Sequence, residues 1–296
     1  LDVSTSGRCG IVTYDNPGPF LVDENECREP DLAPVAMPGG AGGRTTAYSG
    51  DVELRLGQYL VLLSDGVTQS GMSSASFPLG WGSDGVRSYL HSLVTAEPGI
   101  SAREIAARLV KQAASHDEFK PKDDISCAVV YLRRPRRTLI ATGPPTDRDR
   151  DSEVAQLIDS FPGRRIIAGG TTANLVAREL RREVTVNLDK LDPEIPPTST
   201  MDGVDLVTEG TITMSRVAKV LESDEALLPG RSNGAIEVAT ALLESDEIHV
   251  VVGTRINEAH QNPSVPVELE IRRNLMKRIC HVLEERYLKR TQIQFV

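Results

Sequence analysis

In the first half of the chain, the residues best suited to chemistry are carboxylates at the ends of apolar runs. In "LVLLSDGVTQSG", Leu60 to Gly71, four apolar residues run into Ser64-Asp65-Gly66. In "KPKDDISCAVVYL", Asp123 and Asp124 stand at the mouth of a run rich in β-branched residues. Each motif alone reads more simply as a solvated turn, because Asp and Gly are common turn residues. If the two runs are neighbouring antiparallel strands, Asp65 leaves the sheet at the end where Asp123 and Asp124 enter it. Oxygen ligands gathered in this way select hard divalent cations such as Mg²⁺ or Mn²⁺. Two such ions can clamp a phosphate and lower the pKa of a bridging water.

The second half carries a different pattern. Four expected strands end in Gly/Thr-rich turns: Thr142-Gly143-Pro144, Gly169-Gly170-Thr171-Thr172, Thr208-Glu209-Gly210 and Gly253-Thr254-Arg255. In an open parallel sheet, ligands bind in the crevice beyond the carboxyl ends of the strands. Glycine lets backbone approach a ligand, and a helix N-terminus offers free N–H groups to an anion. "GGTTAN" suits this role, since a helix with Ala173, Val176, Ala177 and Leu180 on one side follows at once. Arg255 can add charge, and Asn257, His260, Gln261 and Asn262 can add hydrogen bonds. The plain alternative is that strand–helix loops contain Gly and Thr because turns and caps need them. "GGTTAN" is neither a GxGxxG fingerprint nor a P-loop with its lysine, so no nucleotide is specified. Glu209 reads as a general base or, more simply, as a cap or solvent-facing residue; His249, inside an apolar strand, reads as structural.

The elements that must position these residues follow from periodicity. Residues 1 to 134 read as short strands broken by Gly and Pro: "CGIVTYD", the strand after the "NPGP" turn, and two strands around Gly57. "MPGGAGGRTTAYSG" reads as a glycine-rich loop. One helix is expected from a cap at Asp84 through "GVRSYLHSLVT", and another in "SAREIAARLVKQAASH" behind a Ser101/Glu104 capping box. From about Arg136 the rhythm becomes strand, glycine turn, helix, strand, which predicts an α/β unit with a mostly parallel sheet. It closes with a long amphipathic helix and the strand "TQIQFV".

Bulk properties limit the choices. A 296-residue chain accommodates two domains, each with its own core. A net charge of −9 argues against a nucleic-acid binder. No apolar run reaches the length of a membrane span, and no signal peptide opens the sequence, so no membrane partner is expected. The four cysteines, Cys9, Cys27, Cys127 and Cys280, lie far apart without a CxxC pair, which fits a reducing cytoplasm.

Taken together, "NPGPFLV", "LRLGQYLVLLSDGVTQSG", the "GVRSYL" helix and "DDISCAVVYL" resemble the PPM (PP2C-like) serine/threonine phosphatases, specifically the bacterial SpoIIE-type branch. The resemblance covers about residues 1 to 134. It implies an α+β PP2C-like β-sandwich flanked by helices, with Asp65 and Asp123 as metal ligands, Asp124 beside them, and Gly66 packed tightly next to the metals. It also implies two Mn²⁺ or Mg²⁺ ions in the complete site. The reaction implied is hydrolysis of a phosphoprotein substrate by a metal-bridged water, without a covalent intermediate.

The resemblance also exposes a gap. The family's earlier Asp-Gly element, whose Asp bridges both metals, has no counterpart before residue 60. "SDGVRS" at Ser83 and "MDGVDL" at Met201 are misplaced for it. The sequence beginning at Leu1 in mid-domain style suggests an N-terminally incomplete phosphatase domain. Two readings follow. One is a SpoIIE-type phosphatase over 1–134 with a ligand-binding regulatory α/β domain over 135–296. The other is a non-enzymatic phosphatase-like scaffold whose second domain binds a small anionic ligand at Gly169, Gly170, Thr171, Thr172, Glu209, Gly253 and Arg255.

Overall fold

The structure, a computed structural model, describes residues 1–36, 46–188, 192–223, 233–255 and 265–296. Contacts divide the chain into two units, Leu1–Arg134 and Pro135–Val296. The first contains strands β1 (Asp2–Val3), β2 (Arg8–Tyr14), β3 (Phe20–Val22), β4 (Cys27–Arg28), β5 (Ala33–Ala36), β6 (Thr46–Glu53) and β7 (Tyr59–Leu63). Helices α1 (Asp65–Thr68), α2 (Gly82–Ala96) and α3 (Ala102–His116) and strand β8 (Cys127–Tyr131) follow.

These strands form two antiparallel four-stranded sheets, ordered β1-β2-β6-β5 and β4-β3-β7-β8. Alternation along β2 turns Cys9 and Ile11 inward and leaves Arg8 and Val12 in solvent. Cys9, Ile11 and Val52 of one sheet share a buried cluster with Leu21 and Leu60 of the other. On its opposite face the second sheet places Phe20, Val22, Tyr59, Val61 and Leu63 against the apolar stripes of α2 and α3. Those stripes are Val86, Leu90 and Val94, and Ile105, Leu109 and Ala113, at the 3–4-residue spacing of one helix face. The Tyr59 ring also stacks on Tyr131 at 4.0 Å between centroids.

Two expectations need correction here. Residues 46–50, read as part of a loop, belong to β6, where Gly50 lies against Leu32 and the Asp31 carbonyl. Residues 37–45 of that stretch lie outside the described residues. Helix α2 begins at Gly82 with Trp81 at the N-cap, not at Asp84. Asp84 sits inside the first turn and pairs with Arg87 at 2.5 Å, a site where a carboxylate suits the helix dipole. Helix α3 starts as expected, with Ser101 Oγ accepting the Glu104 N–H at 3.1 Å.

The second unit contains β9 (Arg137–Thr142), α4 (Asp151–Asp159), β10 (Arg164–Ala168), α5 (Gly170–Leu180), β11 (Thr185–Val186), β12 (Ser199–Met201) and β13 (Val204–Thr208). It continues with α6 (Thr211–Ser223), α7 (Gly234–Leu243), β14 (Glu247–Val252), α8 (Val265–Tyr287) and β15 (Arg290–Phe295). One sheet runs β11-β12-β13-β10-β9-β14-β15. Strands β13, β10, β9, β14 and β15 are mutually parallel, while β11 and β12 add an antiparallel margin. Ile140, Ile166, Val250 and Val252 face α6, α7 and α8, whereas Leu139, Ala141, Ile167 and Val251 face α4 and α5. Burial on both faces explains why these strands read as nearly continuous apolar runs.

Chain order sets the site. From β9 the chain steps to β10 and then to β13 on one side. After α6 and α7 it returns to the other side of β9, placing β14 and then β15 there. The direction of winding therefore reverses at β9, and a crevice opens beyond the carboxyl ends of the strands at such a switch point. Among the described residues no helix is long and apolar enough to cross a membrane.

Candidate functional site

The two acidic motifs of the first unit meet. Strands β7 and β8 pair antiparallel with Leu63 opposite Cys127, so the chain leaves β7 at Ser64 where it enters β8 through Asp123 and Asp124. Ser64 fastens the two turns: its N–H donates to the Ser126 carbonyl at 3.1 Å. Its hydroxyl donates to the Asp124 carbonyl at 2.6 Å and accepts the Ser126 N–H at 2.9 Å. Gly66 lies against the same backbone, where a Cβ would stand 2.6 Å from the Asp124 carbonyl oxygen and 3.0 Å from its carbon. Only a residue without a side chain allows that approach.

The carboxylates themselves are accessible. Asp65 is half-buried, and Asp123 and Asp124 are exposed. Asp65 Oδ2 accepts from Gln69 Nε2 at 3.1 Å, and its carbonyl accepts from Thr68 Oγ1 at 3.0 Å. Asp123 Oδ1 accepts the Asp124 N–H at 2.7 Å. These are hard oxygen donors on fixed backbone, the donor type that Mg²⁺ and Mn²⁺ take. Among the described residues no group of three or more His, Cys, Asp or Glu is placed to hold a metal ion. The residues present thus fit one side of a divalent-cation site and do not enclose one.

Beside this edge, between β2 and the ends of β7 and β8, lies a cavity of about 540 Å³ bounded by Thr13, Tyr14, Ser64, Ser126 and Cys127. Burial pushes the Cys127 thiol up to about 12; it is neutral at physiological pH and supplies no thiolate. Sequence reasoning missed Ser64 and Ser126. The signal was there, since a hydroxyl preceding Asp-Gly at a strand end is suited to bonding backbone nearby.

In the second unit, Gly169, Gly170, Thr171, Thr172, Glu209 and Arg255 line one cavity of about 150 Å³, together with Gly143, Gly210 and Arg272. The four strand ends converge as the switch point requires. Gly143 N–H donates to Thr172 Oγ1 at 2.8 Å, tying the β9 loop to the first turn of α5. Gly169 has φ +132°, a region that favours glycine, and its N–H donates to the Thr208 carbonyl at 2.8 Å. Gly253 does not line the cavity but packs beneath it, where a Cβ would come within 2.1 Å of the Pro144 carbonyl oxygen.

Arg255 is held by charge. Its Nη2 donates to Asp151 Oδ1 at 2.6 Å, and Asp151, 4% exposed, also accepts from Arg178 at 2.6 Å. Asp151 was not singled out in the sequence, where it reads as one acid in the polar run "TDRDRDSE". Glu209, expected as a cap or solvent-facing group, accepts from the Gly210 N–H and borders the cavity. His249 lies edge-on to Phe161 at 5.2 Å between ring centroids, in keeping with a structural role. Asn257, His260, Gln261 and Asn262 lie outside the described residues.

Comparison with known proteins gives the first unit its class. Residues 3–133 match the family of Stage II sporulation protein E (SpoIIE). The match lies within the first unit and spans less than half of the chain. No curated protein matches the chain. Among solved structures, the phosphatase domain of SpoIIE from Bacillus subtilis, presoaked with Mn, aligns at 13% identity and TM-score 0.33, covering 45% of this chain and 55% of that one. The SiaA-PP2C domain of Pseudomonas aeruginosa aligns at 20% identity and TM-score 0.29, covering 38% and 42%. The RsbU and RsbW domains of a Mycobacterium tuberculosis protein align at 15% and 0.34, covering 52% and 40%. This chain thus spans about half the length of the structures it matches. At these scores the assignment rests on the family match.

Proposed function

We propose that the protein is a metal-dependent phosphatase acting on phosphoserine or phosphothreonine of a protein partner in bacterial signalling. The 1–134 unit would carry the reaction and the 135–296 unit would regulate it. The observation that supports this reading best is the Ser64–Gly66 turn locked against Asp123–Asp124, inside a segment that matches a phosphatase family. Asp65 and Asp123 are the residues we assign to holding Mn²⁺ or Mg²⁺, with Asp124 alongside. A bound divalent cation would supply Lewis-acid polarisation of the phosphoryl group and a water of lowered pKa. This chain's own part is positional: Ser64 and Gly66 hold two carboxylates on one sheet end, open to an incoming phosphate. A PP2C-like β-sandwich agrees with the two sheets sharing one buried cluster. The free cysteines fit a reducing cytoplasm.

The test is Mn²⁺-stimulated phosphate release from phosphoserine and phosphothreonine peptides by the full-length protein. Asp65→Ala and Asp123→Ala should each lower the rate more than 100-fold, a loss of about 3 kcal/mol in transition-state stabilisation. Wild-type activity in either variant, or activity indifferent to a chelator, would overturn the reading. A second reading attaches to the other unit: a module for a small anionic ligand, favoured by the four strand ends that converge on one cavity.

A further inference from the structure

We propose that the outer edge of β8 recognises a second copy of this chain, which adds its own β8 antiparallel and continues the sheet. The sheet order ends at β8, so one side of that strand has no neighbouring strand among the described residues. The direction of its backbone groups follows from the other side. Ser64 N–H donates to the Ser126 carbonyl and Leu132 N–H to the Gln58 carbonyl, so the even-numbered residues here bond across to the β7 side. In an antiparallel pair the alternate residues turn the opposite way. The N–H and C=O groups of Cys127, Val129 and Tyr131 therefore point out of the sheet.

Nothing on β8 deters pairing, and in this it differs from the other sheet margins. Strand β5 carries Pro34, and β1, β4 and β11 are two residues long. Strand β15 begins at Arg290 and holds Gln292 and Gln294. Shortness, proline and charge are the usual guards of a free edge. Strand β8, "CAVVY", has five residues with no charge and no proline.

Charge selects the occupant. With Val129 placed opposite itself, Cys127 meets Tyr131 of the second copy and the whole of β8 is paired. The same register sets Asp124 opposite Arg134 of the second copy, and two-fold symmetry repeats the pair at the other end. Both residues are exposed, and residues opposite one another on antiparallel strands share a face, where opposite charges attract. An unrelated strand would need an acid and a base at these two positions. This chain carries both, in the order that a self-complementary interface requires. Arg134 of the second copy thereby comes to the acidic edge of Asp123 and Asp124. Two five-residue strands bury less than a standard interface of about 1,600 Å², so we expect a dissociation constant of about 1 to 100 µM.

Analytical ultracentrifugation of the full chain, from about 1 to about 200 µM, tests this. A monomer–dimer equilibrium is expected, weakened as salt rises. Val129→Pro removes an N–H that β7 does not use, so it should keep the native Trp81 emission while abolishing the dimer. Arg134→Glu sets an acid opposite Asp124 of the second copy and should weaken association about tenfold. Asp124→Arg combined with Arg134→Glu restores opposite charges and should recover most of that loss. A chain that stays monomeric throughout the range overturns the proposal. So does a dimer that survives both Val129→Pro and Arg134→Glu, because its contact lies elsewhere. If Val129→Pro does not fold, the two charge variants decide alone: no weakening, or weakening without recovery, overturns it.

Discussion

The two sheet ends are built with the same local device. In each, a glycine lets backbone from a neighbouring segment press in: Gly66 against the Asp124 carbonyl, and Gly253 against the carbonyls of Gly143 and Pro144. What the glycine gathers differs. In the first unit the strands are antiparallel, so one sheet end holds both an exit and an entrance, and carboxylates from distant positions meet there. In the second unit β13, β10, β9 and β14 are parallel, so one sheet end gathers their exits, and two of them, β10 and β13, feed helices α5 and α6 that start at the crevice. Antiparallel geometry assembles an anionic edge. Parallel geometry assembles helix N-termini.

That comparison can be broken by substitution, and the single tryptophan makes the units separately readable. Trp81 lies in the first unit, so its fluorescence follows that unit, while far-ultraviolet circular dichroism follows both. The largest effect is expected for Gly253→Ala, whose Cβ would meet backbone at 2.1 to 2.3 Å. Backbone cannot swing aside as a side chain does, so we expect a loss of about 3 kcal/mol. Urea unfolding should reveal it in the dichroism and leave the Trp81 transition in place. Gly66→Ala should cost about 2 kcal/mol by the same physics and move the Trp81 transition instead. If either substitution proves neutral, the close approach is not what holds that sheet end.

Ser64→Ala comes next. It removes a hydroxyl that both donates to Asp124 and accepts from Ser126; a loss of about 1 to 2 kcal/mol is expected in the Trp81 transition. Ser64→Thr, which keeps the hydroxyl, should recover part of it. The smallest effect concerns pH. Burial holds the pKa of His116 below the ordinary imidazole value of 6.5, with Asp117 opposing, and the ring contacts Ser70 Oγ and Gln112 Nε2 at 3.1 and 3.0 Å. The unfolded chain therefore binds more protons than the folded one below pH 6.5. Stability contributed by neutral His116 is complete above that value and is lost as pH falls through the lower folded pKa. His116→Gln should flatten this slope in urea midpoints measured from pH 7 downward.

Much of this was legible because the relevant signals are local. The apolar run of β7 ending in Asp65 and the capping box at Ser101 need few partners to be recognised. So do the glycine turns of the second half. What escaped reading depends on surroundings. Helix α7, "GAIEVATALL", buries Ala235, Ile236, Val238, Ala239, Ala241 and Leu242, so nearly every side is apolar and the helical period disappears from the sequence. Strand β5 carries Pro34, which an edge strand tolerates but a sequence pattern counts against. Asp151 looked like one acid in a solvated run; its burial between Arg178 and Arg255 is a product of the fold. The strand ends of the second unit were identifiable one by one, whereas their meeting depends on the order of the sheet.

The most direct test of the central claim, that Asp65 and Asp123 are two ligands of one cation site, is Mn²⁺ binding to the full-length protein. It is followed by electron paramagnetic resonance in the wild type, Asp65→Asn and Asp123→Asn. We predict that both variants lose the bound signal over the same concentration range and that the double variant is no worse than either. Retention of wild-type Mn²⁺ affinity in one folded variant would contradict a shared site.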